Sequence, residues 1–207
     1  MTAFTQLKKL SGAIALIAVT VSCGDVVRQG RSPVYLVIDQ LLAQSGARPG
    51  ADKFNTLQSD VITMVTTPAP CTTTLPCPTV FDDKGYVTVR ALAKNVTGTG
   101  PSTNSEVTLN RYHISYVRAD GRNTPGVDVP YAFDGAVTGT TVGGKLELQF
   151  EMVRHVAKME SPLVQLGVNP GVLTTIAEVT FYGRDQVGND LSVSGTMQVD
   201  FGDFGDK

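Results

Sequence analysis

The sequence predicts an all-β protein, an antiparallel β-sandwich of about seven to eight strands. Three observations carry this reading. Apolar and polar residues alternate with period two along the body, turns bearing glycine, proline and asparagine separate the runs, and no long stretch shows a 3.6-residue apolar stripe. A parallel sheet with crossover helices is therefore disfavoured. Of the 207 residues, 42% are hydrophobic and 17% charged, which is a globular balance rather than that of a disordered tail. The net charge of −2 leaves no basic excess for a phosphate backbone, which argues against nucleic acid as a partner.

The strands are read in order. Val34, Leu36 and Ile38 alternate with Tyr35, Val37 and Asp39 in the first, and residues 60–65 form the second. Residues 85–93 are the third, with Val87, Val89 and Ala91 on one face. In the long fourth run, 106–118, the apolar set begins at Val107 and Leu109 and then shifts to Tyr112, Ile114 and Tyr116. A change of face within one strand predicts a bulge near Asn110. Residues 129–137 are the fifth. Leu146, Leu148, Phe150 and Met152 mark the sixth, and Ala177, Val179 and Phe181 the seventh. Leu191, Val193, Met197, Val199 and Phe201 are the inward set of the eighth, leaving only 203–207 as a dispensable tail. Residues 41–44 or 161–166 would make one short helical turn each.

The N-terminus reads as an address. Lys8 and Lys9 precede an apolar run over 10–21. Twelve residues rise only about 18 Å as a helix, short of a roughly 30 Å hydrocarbon core, so the run suits a signal peptide and not a permanent span. It ends in Thr20-Val21-Ser22-Cys23-Gly24. A Cys after a small residue at this place resembles a bacterial lipoprotein signal, with Thr20 standing where that family usually has Leu. The resemblance implies lipidation of Cys23, membrane attachment through that lipid and, since Gly24 is not Asp, an outer-membrane or cell-surface destination. The plainer alternative is a secretory signal with an incidental Cys. The chain then divides into a signal peptide (1–22), a lipidated tether (23–32) and a sandwich domain (33–207). There are three cysteines. With Cys23 lipidated, Cys71 and Cys77 remain as an even pair in a short proline-flanked loop, where an oxidising compartment permits a disulfide.

The segment Val179-Thr-Phe-Tyr-Gly-Arg-Asp-Gln-Val-Gly-Asn-Asp190, leading into Leu191–Phe201, resembles the closing hairpin of bacterial immunoglobulin-like and fibronectin-III-like domains. The places of that pattern are filled by Gly183, Asp185, Gly188 and Asn189. Gly188 can adopt positive φ and Asp185 can bond turn amides. The resemblance implies an immunoglobulin-like sandwich, although the body has no Trp and no inter-sheet Cys pair of the antibody type. The whole chain also resembles a family of exported bacterial proteins, which implies export and no particular activity.

Candidate chemistry is sparse. Gly139-Thr-Thr-Val-Gly-Gly-Lys145 matches the start of a phosphate loop, but Leu146 stands where a hydroxyl is needed and a strand follows, so we read a hairpin turn. His113 and His155 could serve as bases, yet no nucleophile motif accompanies them, and an enzyme is disfavoured. No cofactor is implied. Asp185 and Asp190 flank one turn and are the best pair for Ca²⁺, without the six or so oxygens that such a site needs. The long polar loop at 118–130 offers the best ligand or partner surface: Arg118, Asp120, Arg122 and Asn123, followed by Tyr131. These features fit a non-enzymatic structural, adhesion or interaction module of the cell envelope, whose partner would be another envelope protein or a glycan. A carbohydrate- or small-ligand-binding module is the alternative.

Overall fold

The computed structural model describes residues 30–48, 50, 52–95 and 102–205. The expected signal peptide, Cys23 and most of the expected tether lie outside these residues. Ten strands occur among the described residues: β1 (Val34–Gln44), β2 (Thr56–Asp60), β3 (Thr63–Val65), β4 (Cys77–Thr79), β5 (Asp83–Ala93), β6 (Val107–Val117), β7 (Phe133–Thr140), β8 (Lys145–Val153), β9 (Leu173–Asp185) and β10 (Asp190–Gly202). Two one-turn helices, α1 (His155–Lys158) and α2 (Leu163–Leu166), lie between β8 and β9.

Eight strands make the sandwich. One sheet has the order β1-β5-β8 and the other β2-β10-β9-β6-β7; β3 and β4 form a separate ribbon. The fold is an all-β sandwich, as expected. The expected seven to eight strands describe the sandwich itself, and the ribbon brings the total to ten. All pairings are antiparallel except β2 with β10, where Thr56 opposes Gln198 and Asp60 opposes Gly202.

The alternation seen in the sequence becomes the core. Leu191, Met197, Val199 and Phe201 of β10 are buried and Val193 packs against them, as the inward set requires. In β6 the register shifts between Leu109 and Arg111 against both neighbours, which places the bulge at Asn110. Tyr112 lies edge-on to Phe150 with ring centroids 5.2 Å apart, and Phe150 to Phe181 at 5.1 Å. The Phe150 ring occupies the place of a side chain at Gly85: a Cβ there would come within 2.3 Å of its Cζ. A glycine inside a strand here marks close approach.

Three local readings are corrected. Residues 41–44 are not helical; they continue β1, from Leu41 opposite Val87 to Gln44 opposite Lys84. A register shift between Ile38 and Gln40 breaks the period-two pattern there, leaving an apolar string that also fits a helical turn. The run at 60–65 is two elements. Asp60 ends β2, and its carboxylate takes the Thr63 hydroxyl (3.3 Å) as the chain turns into β3. The fifth strand begins at Phe133 rather than 129, because Val129 and Pro130 are buried in the preceding loop and Pro130 has no N–H for a ladder. The turn expected within 161–166 is present as α2.

Candidate interaction surface

The two ends of the sandwich carry different segments. At one end are Ser32, the start of β1, the β7–β8 connection and the β9–β10 turn. At the other are the loop after β6, the α1–α2 connection, the β3–β4 ribbon and the end of β10. Strands of 11 to 13 residues separate the ends by roughly 35–45 Å.

The polar loop at 118–130 belongs to the second end, and its charges are turned on one another. Asp120 accepts from Nε of Arg118 (3.0 Å), from Nε and Nη2 of Arg122 (3.0 and 2.9 Å) and from the Arg122 amide (3.2 Å). The Arg118 hydrogen bonds, with those of Arg122, hold the Asp120 carboxyl far below the usual carboxylate range. Asn123 Oδ1 accepts the Arg118 amide at 2.6 Å. Tyr131 is half-exposed and its ring lies over Gly126, whose φ is +76°; a Cβ at Gly126 would come within 2.3 Å of the Tyr131 hydroxyl. The structure thus brings Arg118, Asp120, Arg122 and Asn123 together in a preorganised loop whose polar groups largely bond each other.

Beside this loop is a shallow cleft of about 290 Å³, lined by Arg118, Val127, Asp128, Pro162, Leu166 and Val172 among others. Val127 and Val172 are well exposed, at 66% and 62%. Val168, in the same connection as Val172, is exposed as well. Sequence reasoning missed Val168 and Val172 because the connection that carries them breaks the strand pattern and offers no motif.

The other candidates are placed elsewhere. Asp185 closes the β9–β10 turn at the opposite end: its carboxylate accepts from the amides of Val187 (3.1 Å) and Asn189 (2.8 Å) and from Asn189 Nδ2 (2.8 Å). Burial acts to raise its pKa, but the hydrogen bonds from Asn189, Ser32 and Val187 outweigh this and hold it below the ordinary value. Asp190 pairs with Arg184 Nε at 2.5 Å. The two carboxylates therefore serve the turn and the strand ladder, and among the described residues no group of three or more His, Cys, Asp or Glu could hold a metal ion. His113 Nδ1 is 3.3 Å from Asp134 on the outer face of the five-stranded sheet, and His155 is exposed at the start of α1. The segment at 139–145 is not a hairpin turn. It carries the chain from β7 in one sheet to β8 in the other, with Gly143 and Gly144 at positive φ. Cys71 and Cys77 are joined in a disulfide within the β3–β4 ribbon.

Sequence reasoning also missed a buried charge. Lys158 of α1 reaches Asp83 at the start of β5, and both side chains are wholly enclosed. Burial pushes the Asp83 carboxyl up, opposed by the Lys158 ammonium and by hydrogen bonds from Ser59, Gly46 and Lys158. No helix among the described residues is long and apolar enough to cross a membrane. Compared with protein-family models and with curated proteins, the chain matches none.

Proposed function

We propose that the protein is a lipid-anchored envelope module that binds another envelope macromolecule through its loop-bearing end and catalyses no reaction. The observation that supports this reading is the polarity of the sandwich. The chain enters at one end, through Ser32 and Val34, while the loop at 118–130 and the α1–α2 connection stand at the other. A lipid on Cys23 would hold the entry end at the membrane and turn the loop end outward. That end carries exposed valines beside a loop whose charges neutralise one another, a surface suited to contact with another macromolecule more than to chemistry.

Two measurements test the reading together. Palmitate should label the wild-type protein and sediment it with membranes, whereas Cys23→Ala should do neither. A photo-crosslinker placed at Val172 should give a discrete adduct in intact cells, and one placed at Gly143, at the entry end, should not. Equal labelling of wild type and Cys23→Ala, or indistinguishable crosslinking from the two ends, would overturn it.

A further inference from the structure

A second hollow lies at the β2 edge of the five-stranded sheet, toward the same end as the loop at 118–130 but lined by none of its residues. It measures about 350 Å³ and sits where β2 joins β10, under the connection between β1 and β2. Its floor is a consequence of the parallel pairing. Thr56 lies opposite Gln198, and Gln58 opposite Asp200, so outward positions of two adjacent strands form a compact polar array. Gln198 Nε2 donates to both oxygens of Asp200 (3.1 and 2.9 Å), and the Thr174 hydroxyl donates to Oδ1 at 2.7 Å. The carboxylate is therefore oriented before any ligand arrives.

Aromatic rings stand among the walls. Phe54 exchanges two main-chain hydrogen bonds with Ala43 (2.8 and 3.0 Å), so its backbone is anchored while the residue remains 56% exposed. Phe204 donates its amide to Asp60 Oδ1 at 3.2 Å, and its ring rests against Gly202. The tail after β10 is thus tied to the fold at Phe204, contrary to the expectation that 203–207 is dispensable. Arg48 and Asp52 complete the lip.

We propose that this hollow is a binding subsite for a neutral saccharide. The volume is at the lower end of the range of about 300–1,000 Å³ for small-ligand pockets, which matches a ligand of one or a few sugar rings. Charge decides the class. Asp52, Asp60 and Asp200 against the single Arg48 disfavour a phosphate or sulfate, and the Asp200 carboxylate, already bonded by Gln198 and Thr174, is a poor seat for a simple cation. What remains is a neutral ligand with an apolar face for Phe54 and hydroxyls for Gln58, Gln198 and Asp200. A pyranose has both. This assignment is separate from the proposed role of the loop at 118–130 and its cleft, since the two share no lining residue.

The experiment is titration of the purified full chain with maltotriose, cellotriose and triacetylchitotriose, followed by calorimetry and saturation-transfer NMR, with glucose 6-phosphate and spermine as charged comparators. At least one neutral trisaccharide should bind, with transfer to its ring C–H protons. Phe54→Ala and Gln198→Ala should each weaken binding by about tenfold or more. Phe54→Tyr, which keeps the ring and controls for folding, should bind as wild type does, and so should Tyr131→Ala at the loop end. The proposal is overturned if no neutral trisaccharide binds more tightly than about 10 mM. Preference for either charged comparator, or unchanged affinity in Phe54→Ala, overturns it equally.

Discussion

The ammonium of Lys158 lies 2.9 Å from a carboxylate oxygen of Asp83, and neither side chain touches solvent. The same ammonium donates to the Asp60 carbonyl at 2.8 Å. Asp83 accepts the Ser59 hydroxyl at 2.6 Å and the Gly46 amide at 2.9 Å. One ion pair thereby joins α1, β2, the start of β5 and the connection after β1. Removing one partner leaves the other charge buried and uncompensated, which costs about 3–5 kcal/mol. Lys158→Met should lower stability by that amount in urea melts. Combining it with Asp83→Asn should cost less than the sum of the two single changes, since the stranded charge is then gone. A neutral Lys158→Met would show that the pair contributes nothing.

Asp185 should matter in a pH-dependent way. Its three observed hydrogen bonds within the turn are made by the ionised form, so Asp185→Ala should cost about 1.5–3 kcal/mol at neutral pH. Because the folded carboxyl is held below its ordinary value, that stabilisation is complete above the unfolded pKa and is lost as pH falls through the folded one. The gap between wild type and Asp185→Ala in urea melts should therefore narrow below about pH 4. A gap that stays constant through that range would exclude the carboxylate as its source.

The register of β10 makes opposite demands on neighbouring positions. Phe201 is fully buried and meets Tyr116 edge-on with centroids 5.6 Å apart, so Phe201→Ala should cost about 3–5 kcal/mol. Gln198 points outward, and Gln198→Ala should change stability by less than about 0.5 kcal/mol even though it reaches the proposed saccharide site. Denaturation midpoints for the pair decide this. The reverse ranking would mean the strand is turned over by one residue.

Gly85→Ala tests whether the aromatic centre is as tight as the geometry implies. The added methyl must displace the Phe150 ring, at about 1–3 kcal/mol. Substituting Phe150→Leu in the same chain should make Gly85→Ala less costly than it is alone. Thermal melts of the two single variants and the double would show no coupling if the ring can simply move aside.

The all-β class was legible from Val87 to Ala91, from Leu146 to Met152 and along β10 because alternation is a local property: a strand with one buried face must repeat every two residues. The Asn110 bulge was legible for the same reason, since the shift of face is written in residues 107–116. So was the turn chemistry of Asp185 and Gly188, which involves partners a few residues apart. The disulfide could be anticipated by counting cysteines. Where the local pattern blurs, at the register shift beyond Ile38 and the split run at 60–65, the reading failed. Tertiary structure alone decided the rest. The parallel pairing of β2 with β10 puts Gln58 beside Asp200, and nothing in either short segment names the other. Lys158 and the Asp60 carbonyl are 98 residues apart, and a lysine in a short helical turn carries no mark that it will be enclosed. The polar loop at 118–130 was found by composition, but its Arg and Asp side chains bond one another, which only their folded positions reveal. Sequence specifies which residues are to be buried through periodicity. Which buried or outward groups then meet depends on long-range pairing, and that is set by how the two sheets close over one core.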